Sequence, residues 1–398
     1  MKNRQKELKK NFRRMFWIKA FSNVRFISIV ASLFYLHRGL LLSQIYYLAI
    51  FFAIGSFLFE VPSSYLADHW GRKKTIILGI LLTIIYFSIF LFSQNFFWFV
   101  IAAIMYGAAD ACMTGTDEAL VYDTEEELKN SKKTLGKLGK FQSSRRLFKI
   151  VSAIAGAYIA KDLFAWQFNL LISIDILALI IALLFAIKII EPRHKMDVEK
   201  QEAGVMIDAI NLFKKDKMLF KVMLNRELIF FSFFILWTFY QKFFVDLGVS
   251  VLSIGVLWGI GHLITATGLW FTEKVKGNVE EKINHLNLYY LLVVFLYLLF
   301  IFFHFNPILL FIMFILMSMI SDLRYPFFSE FFNKKFHSYN RATTISLSNI
   351  LHSLLEVPIL LLAGLLIDKS MIYPFYLSLF IAMMVVIFLK IPYNKTSK

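Results

Sequence analysis

Residues 75–109 decide the fold: they read TIILGILLTIIYFSIFLFSQNFFWFVIAAIMYGAA and contain no Asp, Glu, Lys or Arg. A helix needs roughly 20 apolar residues to cross a bilayer, because the hydrocarbon core is about 30 Å thick and each residue rises about 1.5 Å. This run is long enough for most of two crossings, and the polar triplet Ser93-Gln94-Asn95 divides it. The pattern therefore predicts two membrane-spanning helices joined by a short turn.

Similar runs recur along the chain, and together with apolar segments that carry a few ionisable residues they predict twelve membrane-spanning helices. The other charge-free runs are residues 39–59, 247–272, 283–321 and 370–389. The predicted spans lie near 17–37, 43–66, 74–94, 96–122, 142–161, 166–190, 222–244, 249–271, 284–304, 307–330, 342–366 and 371–390. Long continuous runs lack the alternation of a transmembrane barrel. The fold class is therefore an all-α membrane protein.

The composition agrees with this class. Hydrophobic residues make up 59% of the 398 positions and charged residues 18%, against about 45–50% and about 25% in soluble domains. These values exclude a soluble enzyme, a disordered chain and a disulfide scaffold, and the single cysteine, Cys112, cannot form an intrachain disulfide. The sequence has no Gly-rich nucleotide-binding loop and no Cys/His cluster, so we expect no cofactor, no metal site and no enzymatic activity.

The chain has a net charge of +16, and its Lys and Arg residues are placed unevenly in a way that predicts the orientation in the membrane. With the N-terminus inside, 35 of the 43 Lys and Arg residues fall in cytoplasmic segments and four in outer loops. Positive charge is retained on the cytoplasmic side, so we expect a multi-pass protein of the cell membrane with both termini cytoplasmic and with no nucleic-acid partner. The basic stretch Met1–Lys19 is interpreted as a cytoplasmic amphipathic arm on anionic lipid.

The polar segment 191–221 divides the chain into two halves with six predicted spans each. We expect an N-terminal six-helix bundle over 1–190, a cytoplasmic central loop over 191–221, with a short amphipathic helix at Asp208–Asp216, and a C-terminal six-helix bundle over 222–398. Two equal halves are common in secondary transporters.

A motif follows the second span and reads Ser64-Tyr-Leu-Ala-Asp68-His-Trp-Gly71-Arg72-Lys73-Lys74. Gly71 permits a sharp turn, and Asp68 can cap a neighbouring helix N-terminus. The motif resembles the signature loop of the major facilitator superfamily, Gly-x-x-x-Asp-x-x-Gly-Arg-Arg/Lys, except that Ser64 replaces the first Gly. The resemblance implies two six-helix bundles that alternate in access, with Asp68, Gly71 and Arg72 in gating.

A second block, Gly115-Thr-Asp117-Glu118-Ala-Leu-Val-Tyr-Asp123, lies at the inner end of span four. This block and Glu60-Val-Pro62 in span two resemble drug-exporter-like members of the superfamily. The resemblance implies that Asp123 pairs with Arg72.

Ionisable residues inside spans are costly and usually face a cavity or a partner. The resemblance places spans one, four, seven and ten around the transport path. In a continuous helix Asp110 and Asp117 share one face. We expect Arg25 to neutralise Asp117, at the depth of Glu118, and we expect Asp110, as the less solvated carboxylate, to couple transport to protons.

The second half offers further candidates. His352 and Glu356 share one face of span eleven at i, i+4, and Glu356-Val-Pro358 repeats the pattern of Glu60-Val-Pro62. Both carboxylates and His352 are candidate proton sites, with a structural hydrogen bond between helices as the alternative. Asp322, in span ten, is a candidate substrate or proton residue. Asp175, in span six, is expected to have a structural partner. The neighbouring charges Arg226 and Glu227 are expected to be solvated near the interface.

The sequence therefore predicts a monomeric secondary active transporter that exports a small amphiphilic compound, driven by protons and in contact with membrane lipid. Import of a metabolite is the first alternative. A lipid flippase and a membrane sensor that binds without transport are the others.

Overall fold

The computed structural model describes residues 2–128, 134–193, 216–272, 275, 277–335 and 338–393. In these ranges the chain is helical and contains no strand. It divides into two compact units: Met1–Asp197 with Val251–Gly259, and Val198–Ser250 with Ile260–Lys398. The boundaries predicted at 190 and 221 stay a prediction, and the helix expected at Asp208–Asp216 lies outside the described residues except for its last residue.

The helices follow each other with short connections. Those of the first half are α1 (Lys2–Ser22), α2 (Ala31–His37), α3 (Leu42–His69), α4 (Arg72–Phe92), α5 (Phe96–Met113), α6 (Thr116–Glu127), α7 (Thr134–Ile159) and α8 (Ala165–Ile187), with a 3-10 helix at Ile27–Val30. Those of the second half are α9 (Lys217–Trp237), α10 (Tyr240–Asp246), α11 (Val251–Phe271), α12 (Val279–Phe302), α13 (Pro307–Lys335), α14 (Ser338–Ile367) and α15 (Tyr373–Phe388).

The helices reproduce the predicted spans. Eight segments of the described chain are long and apolar enough to cross a membrane, and α9 with α10 forms a ninth that is bent by 44°. Three shorter apolar helices, Phe148–Ile159, Leu351–Ile367 and Tyr373–Phe388, lie at the places of predicted spans five, eleven and twelve. The all-α membrane fold is thus confirmed, and the set of helices is consistent with twelve crossings.

Two spans of the first unit are broken rather than continuous. Span one leaves α-helical geometry between Ser22 and Ala31, and span four breaks at Thr114-Gly115, where Gly115 has a φ of +78°. A left-handed φ is readily adopted only by glycine. Irregular backbone at membrane depth must be satisfied by protein or by water. A side chain of α8 satisfies the break in span one, whereas the space around Gly115 is open.

The interpretation of Met1–Lys19 as an arm lying on lipid is wrong for the described residues. This stretch is the first part of α1, and its apolar face is buried in the first unit, with Leu8, Met15 and Ile18 at most 1% exposed. The buried Asn11 exchanges hydrogen bonds of 2.7 and 3.1 Å with the backbone of Ile190. The basic residues therefore line the polar side of a packed helix.

Candidate functional site

The signature loop forms a charged cluster at the inner end of the first unit. Gly71, with a φ of +104°, makes the turn between α3 and α4. Arg72 begins α4, and its Nη1 lies 2.5 Å from Oδ2 of Asp123 on α6. The side chains are only 12% and 5% exposed. The ion pair implied by the family resemblance is therefore present, and its role in gating stays a prediction.

Asp68 does not cap the helix that follows it. Its side chain is exposed, and the first amides of α4 are capped by Glu191. The two carboxylate oxygens of Glu191 accept the backbone N–H groups of Arg72 and Lys73, each at 2.8 Å. A Cβ on Gly71 would approach this carboxylate to 3.2 Å. Sequence analysis missed Glu191, and its only signal was an acid immediately before the proline that follows span six.

Lys19, not Arg25, neutralises Asp117. The Lys19 ammonium lies 2.5 Å from Asp117 Oδ2, and the carboxylate is 2% exposed. Lys19 was overlooked because it was counted as part of the cytoplasmic arm, whereas the continuous α1 carries it into the bundle.

Asp110 is exposed at the surface of the first unit whereas Asp117 is buried, and the expected role of Asp110 in proton coupling stays a prediction. The break at Thr114-Gly115 also separates the two residues, which therefore do not share one helix face. The Thr114 hydroxyl donates to Asp110 at 3.4 Å, and the Asp117 carboxylate accepts the N–H of Glu118 at 2.7 Å.

The remaining acidic candidates are dispersed. Glu60 on α3, Glu118 on α6 and Asp322 on α13 have exposed side chains. Their roles in transport stay predictions.

Asp175 has the structural partner expected of it, and that partner is the break in span one. Its two oxygens accept the backbone N–H groups of Phe26, at 2.8 Å, and Ile27, at 3.2 Å. The side chain is fully buried on α8. On α7, a Cβ at Gly156 would lie 2.4 Å from the Phe26 carbonyl oxygen, so only glycine allows this approach. The break in span one is thus stabilised by the Asp175 carboxylate of α8 and accommodated by Gly156 of α7.

A second site in the second unit joins two carboxylates through an imidazole. Nδ1 of His352 lies 2.8 Å from Oε2 of Glu227, and Nε2 lies 3.7 Å from Oε2 of Glu356. Glu227 is 3% exposed, so the expectation of a solvated residue is wrong. We refer to Glu227, His352 and Glu356 as the carboxylate–histidine site. Glu227 was missed because the neighbouring Arg226 suggested a surface pair.

Polar neighbours hold Glu227 in place. Nε of Arg226 lies 3.4 Å from Glu227 Oε1, and the Ser348 hydroxyl donates to the same oxygen at 3.3 Å. The buried Arg324 donates to the backbone oxygen of Asn225 at 2.8 Å and to its side-chain oxygen at 2.9 Å. Among the described residues, no group of His, Cys, Asp and Glu side chains is arranged to hold a metal ion.

Comparisons with known proteins give the family. The sequence profile of the Major Facilitator Superfamily matches residues 18–357. An uncharacterized MFS-type transporter of Bacillus subtilis (strain 168), YxaM, is 22% identical over 232 residues. The alignment covers 58% of this chain and 57% of that relative, so the chain spans little more than half of the curated protein it matches.

Solved structures show the same fold at low identity. The nucleoside transporter NupG is 13% identical with a TM-score of 0.73, over 96% of this chain and 97% of that one. A D-xylose-proton symporter is 13% identical with a TM-score of 0.74, over 98% of each chain. Since the family profile covers most of the sequence, the chain belongs to the major facilitator superfamily, and its long apolar helices are those of a multi-pass membrane protein.

Proposed function

We propose that this protein is a secondary active transporter that exports a small amphiphilic compound by alternating access, and that protons drive the export through the carboxylate–histidine site. Family membership supports transport. The observation that carries the coupling is the position of His352 between two carboxylates, 2.8 Å from Glu227 and 3.7 Å from Glu356.

The chemistry of the site follows from the two ring nitrogens. An ionised Glu227 can only accept a hydrogen bond, so Nδ1 of His352 carries the ring proton and Nε2 is left as an acceptor. A proton added at Nε2 makes it a donor and creates an imidazolium between two anions. The present Nε2–Glu356 separation of 3.7 Å is beyond a hydrogen bond, so protonation favours a closer approach of His352 and Glu356. One proton thereby changes both charge and geometry.

Exposure indicates the entry point for the proton. The His352 side chain is 34% exposed, whereas those of Glu227 and Glu356 are 4% and 11% exposed. The imidazole is therefore the most accessible group of the site, while the two carboxylates lie deeper and stabilise the proton once it has bound. Histidine is suited to this because its charge changes near physiological pH.

The direction of transport is supported by the resemblance of the Gly115–Asp123 block and of Glu60-Val-Pro62 to drug-exporter-like members. Import is the alternative, and the same assay decides between them. A binder that moves nothing would act as a sensor.

The test uses purified protein in proteoliposomes with a trapped pH dye, an imposed pH gradient and a panel of labelled cationic, neutral and anionic amphiphiles. We expect the gradient to drive a compound against its own concentration gradient in the wild type. His352→Gln and Glu356→Gln should abolish this drive while leaving exchange at equal pH, because exchange needs no net proton transfer.

Asp246→Asn is the matched control, since Asp246 is an exposed carboxylate of the second unit that pairs with Lys242. Asp110→Asn tests the other candidate carboxylate. Full gradient-driven transport in both His352→Gln and Glu356→Gln would rule out the carboxylate–histidine site. Loss of drive in Asp110→Asn alone would place coupling in the first unit instead.

A further inference from the structure

The break in span one fixes the position of Arg25. The chain leaves α1 at Ser22, passes through Arg25 and enters the 3-10 helix at Ile27. The backbone N–H groups of Phe26 and Ile27, the two residues after Arg25, donate to Asp175, and the Phe26 carbonyl packs against Gly156. The backbone that follows Arg25 is therefore supported by α7 and α8, as a preorganised binding residue requires.

The Arg25 guanidinium has donors to spare. A guanidinium carries five N–H groups. Among the described residues, the hydrogen bond that this guanidinium makes is the one from Nη1 to the Val24 carbonyl, at 2.7 Å. The nearby Asp175 interacts with Arg25 electrostatically, but each Asp175 oxygen already accepts a backbone amide. Since Lys19 neutralises Asp117, that carboxylate is not available either.

Other arginines of the first unit find acceptors on other side chains or on distant backbone. Arg4 pairs with Glu127 at 2.9 Å, Arg14 with Glu7 at 2.7 Å, and Arg72 with Asp123. Arg38 donates to the Leu91 carbonyl and to Asn169, each at 3.0 Å. Arg25 differs from these four because the acceptor of its hydrogen bond among the described residues is the carbonyl of the neighbouring Val24.

Aromatic rings and phenols surround this cation. The guanidinium lies 5.1 Å from the centre of the Phe87 ring. Tyr86, the neighbour of Phe87 on α4, interacts electrostatically with Arg25 and shares a hydrogen bond with Tyr35. The Tyr86 ring stacks on Tyr106 of α5 at 4.5 Å. The cluster offers N–H and O–H donors beside ring faces.

We propose that Arg25 binds the anionic group, a carboxylate or a phosphate, of an aromatic substrate whose ring packs on the Tyr86–Tyr106 pair. This inference rests on the proposed transport function and narrows the amphiphilic compound to an anion. Arginine presents a planar fork of N–H groups that matches both carboxylate and phosphate oxygens. Arg25 has Asp175 nearby but no directly hydrogen-bonded counter-charge among the described residues, and a bound anion would supply one.

Equilibrium binding tests the proposal without a proton gradient. The protein in nanodiscs is titrated by calorimetry at one pH with 2-naphthoate, 2-naphthyl phosphate and 2-naphthylmethylammonium, and empty nanodiscs supply the background. We expect at least one anion to bind about tenfold or more tightly than the cation, and the two anions to show which head group fits better.

Arg25→Gln removes the charge but keeps a donor for the Val24 carbonyl, and we expect it to lose about tenfold or more in anion affinity. Arg25→Lys should retain part of the affinity, because it keeps the charge without the fork. Arg38→Met is the matched control on the same span, since Arg38 is satisfied by protein oxygens. It should leave the affinity unchanged.

Equal binding of the anions and the ammonium compound, or wild-type anion affinity in a folded Arg25→Gln, overturns the assignment. Should Arg25→Gln not fold, Arg25→Lys and the comparison of ligands on the wild type decide the outcome. A transporter without proton coupling still shows this binding, so failure of the carboxylate–histidine site and failure of the anion site are distinguishable.

Discussion

Arg72 of the signature loop and Asp123 of α6 are the most informative pair of residues in the first unit, because an ion pair with so little exposed side chain depends on both partners. Removing one partner of a buried pair leaves an uncompensated charge, at a cost of about 3–5 kcal/mol, whereas replacing both by apolar residues is often neutral. A role in gating and a role in folding can therefore be separated by comparing single and double variants.

We expect Asp123→Asn to lower the melting temperature in detergent, because Arg72 loses its counter-charge, and we expect Arg72→Met with Asp123→Leu to restore most of the loss. Thermal unfolding of the purified variants measures both. Asp68→Asn should leave the melting temperature unchanged, since Asp68 is exposed, yet slow transport. A wild-type transport rate in Asp68→Asn would contradict its gating role.

Asp175 supports the broken span by accepting two amides, and its removal leaves both N–H groups buried without acceptors. Each such group costs about 1–3 kcal/mol. We expect Asp175→Leu to destabilise the protein strongly and Asp175→Asn less, because asparagine supplies one acceptor oxygen. Ser173→Ala, two residues away and exposed, is the control. Unchanged thermal unfolding of Asp175→Leu would show that water satisfies the amides.

Sequence patterns identified most of the residues at these sites but not all of their partners. The Arg72–Asp123 pair followed from a family motif that places both residues. The Lys19–Asp117 contact could not be predicted in the same way, because the direction of a long flexible side chain depends on packing. Glu227 could not be assigned to the carboxylate–histidine site without the position of His352, which lies 125 positions further along the chain.

At the scale of helices, span locations followed from hydrophobicity, whereas the breaks did not. Hydropathy measures the cost of leaving water and does not register the loss of a few helical hydrogen bonds. In span four a signal was available, since Gly115 adopts a φ that other residues avoid. In span one the determinants lie on α7 and α8, so only the tertiary structure shows them.

Helices α3 and α5 approach closely through glycines at their crossing. A Cβ on Gly107 would lie 2.2 Å from the Phe52 carbonyl oxygen and 2.5 Å from the Ser56 nitrogen. Small residues at such crossings let helix backbones come together in membranes. The contact fixes the position of α5, which carries Tyr106 and Asp110, against α3.

We therefore expect Gly107→Ala to force α3 and α5 apart and to lower the melting temperature, at a cost of about 1–3 kcal/mol or more. Gly268→Ala on α11 is the matched control. There the nearest atom is a flexible Leu323 side-chain carbon at 3.4 Å, and alanine favours the helix by up to about 1 kcal/mol. Equal unfolding temperatures for the two variants would contradict the close crossing.

For the whole molecule, the distribution of Lys and Arg predicts the orientation in the membrane. Successive spans of the first unit are then predicted to cross the membrane in alternating directions. With this orientation, the turn after α4 is predicted on the outer side and the end of α8 on the cytoplasmic side. Cys112 is buried, so an introduced cysteine is the reactive thiol in a labelling experiment.

We expect a membrane-impermeant maleimide to label Gln94→Cys in intact cells and Lys188→Cys only after permeabilisation. Both parent residues are exposed and follow the last turn of their helices, α4 and α8, which are predicted to cross the membrane in opposite directions. Wild-type protein, which carries Cys112 alone, is the unlabelled control. Labelling of Lys188→Cys in intact cells would reverse the predicted topology.

Glu191 joins the end of the first half to two other helices. Its carboxylate accepts hydrogen bonds from the first two amides of α4, and its carbonyl oxygen accepts a hydrogen bond from Arg4 of α1 at 2.9 Å. The residues that follow α8 are therefore linked by hydrogen bonds both to α1 and to the signature loop, so that a displacement of Glu191 would disturb both.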